Sequence, residues 1–150
     1  KNNYMSKLNE SQIRELITTA IGMRAFAYTP YSNFKVGAAL LSKSGKVYTG
    51  CNIENAGYTP SNCAERTALF KAYSEGIGKD DIVAMSIAGA TDTPISPCGA
   101  CRQVMAEFCN PEKFEVIVAI DENDYRKHKL FSDLRARLSD KHKVYHLLYP

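Results

Sequence analysis

Two short cysteine motifs constrain this chain more than any other feature. They are residues 62–66, Asn-Cys-Ala-Glu-Arg, and residues 97–102, Pro-Cys-Gly-Ala-Cys-Arg. Each motif lies at the predicted start of a helix, and together they supply three cysteines, a carboxylate and an arginine. A structural zinc takes four protein ligands, whereas a catalytic zinc keeps one position for water. Three thiolates therefore predict a catalytic zinc site and, with it, a hydrolase.

The spacing of the cysteines supports one shared ion. Cys98 and Cys101 are three residues apart, so they share a face of a first helical turn, and Cys63 comes from the start of another helix. Helix N-termini favour thiolate over thiol. A redox dithiol would leave Cys63 unexplained, and a zinc ribbon needs a second Cys-x-x-Cys. We favour Zn²⁺ bound by Cys63, Cys98 and Cys101, with those two classes as alternatives.

Glu65 and Arg66 follow the first cysteine directly. Position i+2 points away from Cys63 on an ideal helix, so Glu65 suits a proton-moving neighbour of the metal better than a fourth ligand. The alternative is a capping box with Asn62, in which the carboxylate only ties off the helix. Arg66, at i+3, can donate hydrogen bonds to the thiolates and draw off charge. Its alternative is an ordinary surface arginine.

The composition fits one soluble globular domain over residues 1–150. The chain is 45% hydrophobic and 23% charged, which is ordinary for such a domain. Five cysteines, three of them in a metal-like spacing, favour a reducing, cytoplasmic setting. No apolar run approaches the ~20 residues of a membrane span. The polar N-terminus has no apolar core of a signal peptide, and we expect residues 1–8 to be flexible.

Periodicity and breakers predict an α/β fold with a partly parallel sheet and helices on both faces. Gly37 and Gly50 lie inside strands and allow close backbone approach. Between the elements, 121–129 is predicted as a loop, and Cys51 and Cys109 are expected in the core. The predicted elements in order are helix 9–28, strands 34–41 and 47–52, helix 61–75, strand 82–90, helix 97–108, strand 114–120, helix 132–138 and strand 144–148.

Longer motifs carry a resemblance to a known family. They are residues 31–38 (Tyr-Ser-x-Phe-x-Val-Gly-Ala), 50–56 (Gly-x-Asn-Ile-Glu-Asn-Ala), 63–68 (Cys-Ala-Glu-Arg-Thr-Ala) and the Pro-Cys-x-x-Cys at 97–101. They resemble the small, homotetrameric, three-cysteine cytidine deaminases among the zinc nucleoside and nucleobase deaminases. The match runs from about residue 11 to residue 105. It implies a three-layer α/β/α fold with a five-stranded mixed sheet, and a homotetramer with sites near subunit contacts.

The resemblance also implies roles for substrate-binding residues. Asn52 and Glu54 would hold the ribose 3′-hydroxyl, Phe34 would pack on the base, and the backbone of Ala64 would contact the pyrimidine. Tyr58 would reach a neighbouring subunit's site. From the residues alone, Phe34 reads equally well as a core residue, and Asn52 and Glu54 as polar loop groups.

The implied reaction is zinc-dependent hydrolysis of cytidine and 2′-deoxycytidine to uridine and 2′-deoxyuridine, with release of ammonia in pyrimidine salvage. Zinc would supply hydroxide, and Glu65 would move the protons. One alternative is another cytosine-containing substrate, either a nucleoside antibiotic or a base in nucleic acid; the motifs' surroundings are not basic, which disfavours nucleic acid. The other is a structural zinc domain whose fourth ligand is His128, His142 or His146.

The C-terminal stretch departs from the family pattern. Residues 126–150 hold seven lysines and arginines against two aspartates, and all three histidines. We expect a solvated surface, with an anionic partner as the alternative. The family commonly ends in Leu-Leu-Pro and then a closing aromatic, whereas this chain ends in Leu-Leu-Tyr-Pro at 147–150. Tyr149 is a candidate substitute for that aromatic.

Overall fold

The computed structural model describes residues 8–130 and 133, and within them three helices flank one mixed five-stranded sheet. The strand order is β2-β1-β3-β4-β5, and only the β3–β4 pair is parallel. The α/β prediction and the five-stranded mixed sheet are thereby confirmed. The elements are α1 (Glu10–Met23), β1 (Val36–Ser42), β2 (Val47–Cys51), α2 (Ala64–Ser74), β3 (Ile82–Gly89), α3 (Gly99–Phe108), β4 (Glu115–Ala119) and β5 (Tyr125–Lys129).

The core has two layers, one on each face of the sheet. On one face α1 packs on small strand residues such as Ala39 and Ala84. On the other face α2 and α3 pack on larger ones such as Leu40, Met85 and Phe114. Burial of this apolar surface on both sides is the main force that holds the three layers together. Cys51 and Cys109 are buried, as expected, and all five cysteines are free.

Helix α1 begins with a capping box, in which Asn9 and Gln12 bond each other's backbone amides. The helix ends at Met23, followed by a 3₁₀ turn over Arg24–Phe26, so the predicted end at residue 28 is too late. The Arg24 side chain donates to the carbonyls of Ile21 and Gly89. Past this turn the chain is extended, and the Tyr28 amide donates to the Asn52 carbonyl instead of a helical partner.

Two strand glycines bring the helices close to the sheet. A Cβ on Gly37 would collide with the Ala20 carbonyl of α1, and one on Gly50 would lie 2.6 Å from the Ala68 nitrogen of α2. Only glycine tolerates such contacts. The close approach expected from the sequence is confirmed, and it sets α2 directly against the end of β2.

One strand was missed. Residues 125–129, predicted as part of a loop, form β5 and pair antiparallel with β4, with His128 opposite Val116. Among the described strands it is at the sheet edge, and it carries exposed charges, Arg126, Lys127 and Lys129. Edge strands often carry such charges because they discourage pairing with other chains. The polar composition that predicted a loop therefore fits an edge strand equally well.

Several predictions concern residues outside the described range. These are the flexibility expected for residues 1–8, apart from Leu8 itself, the helix at 132–138, apart from Asp133, the strand at 144–148, and the roles of His142, His146 and Tyr149. None of the helices in residues 8–130 is both long and apolar enough to cross a membrane.

Candidate metal centre and substrate pocket

The three motif cysteines converge at the starts of two helices. Cys63 is the N-cap of α2 and Cys98 is the N-cap of α3, while Cys101 lies in the first turn of α3. All three Sγ atoms lie within 4.8 Å of one another, and those of Cys63 and Cys98 are 3.7 Å apart. Two elements far apart in sequence therefore deliver three soft donors to one point.

The geometry of this cluster fits zinc. Tetrahedral Zn²⁺ with Zn–S bonds of about 2.3 Å requires sulfur atoms about 3.8 Å apart. Cys63, Cys98 and Cys101 are the residues that would hold a zinc ion in this cluster. Within residues 8–130 and 133, no histidine or carboxylate joins the group. His128 is in β5, opposite Val116, and does not contribute. A site with three protein ligands is of the catalytic class rather than the structural one.

The surroundings of Cys63 favour its thiolate form. A hydrogen bond from the Cys101 thiol and one from Arg66, against the opposing effect of burial, lower the pKa of Cys63 to about 5. Arg66 Nη2 lies 3.6 Å from Cys63 Sγ. Arg66 therefore lies beside the thiolate, as the i+3 spacing predicted, and is not an ordinary surface arginine.

Glu65 is enclosed by protein. The residue is 5% exposed, and burial, followed by the negative charge of Cys63, raises the pKa of its carboxyl from 4.5 to about 7. The alternative of a capping box is wrong. Helix α2 begins from Cys63 without a side-chain capping bond, and the Asn62 amide donates instead to the Thr67 hydroxyl. The carboxyl therefore forms no capping box with Asn62, and its hydrogen bond with Cys101 places it beside the thiol cluster.

A pocket of about 480 Å³ opens in front of the cluster. Six of the nine lining residues were singled out from the sequence: Phe34, Asn52, Cys63, Ala64, Glu65 and Cys98. The sequence reasoning missed Val36, Ile95 and Ser96. Val36 belongs to the 31–38 motif but was given no role, and only proximity to Cys98 along the chain marked Ile95 and Ser96. Cys101 is fully buried behind the pocket wall.

Asn52 holds the backbone around Phe34. Its side-chain amide donates to the Phe34 carbonyl at 2.7 Å and accepts from the Val36 amide at 2.9 Å. These bonds span 16 and 18 residues of sequence. The Asn52 side chain, to which the resemblance assigns sugar binding, therefore also holds the backbone at the start of β1, beside the pocket.

Glu54 and Tyr58 lie outside the pocket lining. The Glu54 carboxylate accepts from the Tyr31 amide at 2.9 Å, from the Ser32 amide at 3.2 Å, and from the Ser32 hydroxyl. The Ser32 bond, helped by the two amides, lowers the pKa of Glu54. Tyr58 is 99% exposed and makes no part of the core.

A three-thiolate metal centre next to a buried carboxyl, at the helix ends of an α/β/α sandwich, defines a zinc-dependent hydrolase. The comparisons with known proteins agree. Residues 10–118 match the family model described as the cytidine and deoxycytidylate deaminase zinc-binding region. The chain belongs to this family.

Relatives and solved structures extend the agreement. A cytidine deaminase from Halalkalibacterium halodurans is 63% identical over 94 residues, which is 63% of this chain and 70% of the relative. A probable cytidine deaminase from Dictyostelium discoideum is 42% identical over 132 residues, covering 85% of this chain and 86% of the relative. The crystal structure of cytidine deaminase from Burkholderia pseudomallei superposes with a TM-score of 0.74 at 50% identity, over 78% of this chain and 91% of that one.

Proposed function

We propose that this protein hydrolyses cytidine and 2′-deoxycytidine to uridine and 2′-deoxyuridine and releases ammonia. The observation that carries the proposal is the position of Glu65, a buried carboxyl beside three cysteine thiols in a pocket that an aromatic ring and an amide also line. The relatives whose names describe cytidine deaminases support the choice of substrate.

Glu65 is the proton carrier in this proposal. Zinc, when bound, supplies hydroxide near neutral pH because it lowers the pKa of coordinated water. Glu65 accepts a proton from the attacking water and delivers it to N3 of the pyrimidine. It then accepts the second proton, from the hydroxyl added at C4, and passes it to the departing amine, which leaves as ammonia. A carboxyl whose pKa lies near the working pH can perform both transfers, and the pKa of about 7 for Glu65 supports this role.

Other pocket residues, together with Glu54 from outside the lining, bind the nucleoside. The Phe34 ring, 36% exposed at the pocket, packs on the base, and the backbone of Ala64 contacts the pyrimidine. Asn52 and Glu54 hold the 3′-hydroxyl of the sugar. Of the described residues that line the pocket, none is lysine or arginine. This lining favours a neutral nucleoside over a nucleotide or a nucleic acid, whose phosphates need basic partners.

We also infer a single-domain protein that assembles as a homotetramer and acts in cytoplasmic pyrimidine salvage. Exposed aromatic residues support assembly, because exposed apolar surface is often a contact surface; they include Phe26, Tyr28, Tyr31 and Tyr58. In this arrangement Tyr58 extends into a neighbouring subunit's site. Size-exclusion chromatography with light scattering tests the tetramer, and a monomer at working concentration would contradict it.

The activity test compares five compounds. Purified, zinc-loaded protein is incubated with cytidine, 2′-deoxycytidine, cytosine, deoxycytidylate and a cytosine-containing oligonucleotide, and ammonia is followed. We expect fast release from the two nucleosides. Faster release from deoxycytidylate or the oligonucleotide would replace the proposed substrate, and no release from any compound would overturn the proposal.

A further inference from the structure

The Ser32 hydroxyl lies between Glu54 and Phe34. Its oxygen accepts a hydrogen bond from the Phe34 amide at 3.0 Å, and its proton is donated to Glu54 Oε1. The other carboxylate oxygen, Oε2, accepts from the amides of Tyr31 and Ser32. A hydroxyl has one proton to donate. Because the Phe34 amide occupies an acceptor site of the hydroxyl, that proton is directed to Glu54.

Ser32 occupies acceptor sites on both oxygens of the Glu54 carboxylate. A carboxylate offers about four acceptor sites on its two oxygens. Three of those on Glu54 are occupied by Tyr31 and Ser32. The bonds act at both oxygens, so the carboxylate cannot rotate without breaking one of them. One acceptor site is left in a fixed direction for a hydroxyl from outside.

The turn that carries Ser32 is itself held in an unusual shape. Asn33 has φ of +54°, in the left-handed region that side-chain-bearing residues seldom adopt. Its amide donates to the Thr29 carbonyl at 3.0 Å. The tip of the Phe34 ring packs on Gly89, where an added Cβ would lie 2.9 Å from the ring. The turn thus has supports of its own, and loss of one hydroxyl would leave its backbone in place.

We propose that Ser32 is a positioning residue that aims the Glu54 carboxylate at the 3′-hydroxyl of the substrate sugar, and so gives the site its preference for nucleosides that carry this hydroxyl. The inference rests on the proposed function. Ser32 does not touch the substrate. It acts through Glu54, by removing the rotational freedom that the carboxylate would otherwise lose on binding.

The test compares Ser32→Ala with the unchanged protein on two substrates, 2′-deoxycytidine and 2′,3′-dideoxycytidine. The second lacks the 3′-hydroxyl. A hydrogen bond to a charged group is worth about tenfold or more in binding. We expect Ser32→Ala to raise KM for 2′-deoxycytidine by about tenfold with little change in kcat, and to change KM for the dideoxy substrate by about twofold or less.

Matched variants separate positioning from folding. Ser32→Thr keeps a hydroxyl and should restore most of KM. Ser74→Ala removes an exposed hydroxyl that bonds only the Lys71 carbonyl, and should leave both substrates unchanged. In a Glu54→Ala background, Ser32→Ala should add about twofold or less, because the two residues act as one unit. Zinc content and melting temperature are measured for every variant.

Three outcomes overturn the proposal. Equal losses on both substrates would mean that Ser32 holds the Phe34 turn and does not aim Glu54. Additive losses with Glu54→Ala would break the link to the carboxylate. Absence of turnover by the unchanged protein on 2′-deoxycytidine would overturn the proposed function and this inference together, whereas normal turnover with equal losses would overturn the role of Ser32 alone.

Discussion

The carboxylates of Glu65 and Glu54 lie in opposite surroundings. Glu65 is buried at the first turn of α2, and its pKa is raised to about 7 because burial disfavours the charge. Glu54 lies in the loop after β2, and hydrogen bonds from Ser32 and Tyr31 lower its pKa. One group is prepared to gain and lose a proton, while the other stays ionised and accepts hydrogen bonds.

The two regions that hold these carboxylates also differ in structure. The metal side is built on helix starts, with Cys63 as the N-cap of α2 and Cys98 as the N-cap of α3. The recognition side is built from loops that side-chain-to-backbone bonds hold in place, through Asn52 and Glu54. Changes on the metal side should remove chemistry, and changes on the loop side should alter KM.

The largest expected effect is on the metal side. Cys98→Ala removes one of three thiolate ligands, so zinc content should fall close to zero and turnover should be lost with it. Metal analysis and ammonia release measure both. Cys51→Ala is the control, because Cys51 is a buried core residue outside the cluster. Full zinc occupancy in the Cys98 variant would remove that residue from the ligand set.

Glu65→Gln should keep zinc and lower kcat by about 10²–10⁴, because an amide of similar shape cannot carry the proton. Turnover and metal content are measured on the same sample. Glu75→Gln is a matched control at an exposed carboxylate paired with Lys46. A Glu65 variant with near-normal kcat would place the proton transfers on another group.

The raised pKa of Glu65 should also appear in the stability of the metal-free protein. A carboxyl with a folded pKa near 7 and an ordinary value of 4.5 stabilises the fold below the ordinary value and loses that contribution as pH rises to 7. The unfolding free energy of the metal-free protein, relative to its Glu65→Gln variant, should therefore fall by about 3 kcal/mol from pH 4.5 to above 7. Chemical denaturation across this range measures the difference, and a flat profile would contradict the burial argument.

On the loop side, Asn52→Ala should raise KM for cytidine by about 10- to 100-fold and leave kcat within a few-fold. KM rises because the sugar hydroxyl loses a partner. The Phe34 carbonyl and the Val36 amide also lose theirs, which lowers the stability of the fold by about 1–3 kcal/mol per group. Steady-state kinetics separate the two constants. A loss mainly in kcat, with zinc retained, would end the distinction between the two regions.

The smallest effect is expected for Arg66→Gln, which removes a hydrogen bond to the Cys63 thiolate at 3.6 Å. Loss of a group that supports a metal ligand typically costs about 10- to 100-fold in activity or metal affinity, and the long bond of Arg66 places the expected loss at the lower end, about tenfold. The pH–rate profile should shift as well, since thiolate charge is no longer drawn off. Arg14→Gln, at an exposed pair with Glu10, serves as the control, and an unchanged rate and profile would make Arg66 structural.

The metal side was largely visible in the sequence, because its ligands follow local rules. Cys98 and Cys101 are one helical turn apart, and Cys63 lies at the start of another predicted helix. The convergence of the three thiols is confirmed. The glycine contacts that bring α2 to β2 were predictable for the same reason, since a glycine within a strand signals close approach.

The loop side and the sheet edge were less visible, because their structure depends on distant partners. No local pattern connects Asn52 to the backbone of Phe34 and Val36, or Glu54 to the Ser32 turn. β5 was missed because its pairing with β4 is set by tertiary structure, and because its charged residues are also typical of a loop. Ile95 and Ser96 lie in a segment without regular structure whose place in the pocket wall depends on α3.

The bridge between Ile53 and Asn62 has a consequence for protein engineering. Their backbones bond in both directions at 2.9 Å, directly between the strand end that carries Asn52 and the helix start that carries Cys63. The two ends of the eight-residue loop between them, 54–61, are therefore held side by side. That loop can therefore be lengthened at its tip, with Glu54 and Tyr58 kept, while the metal ligands on one side and the β-hairpin on the other stay in register.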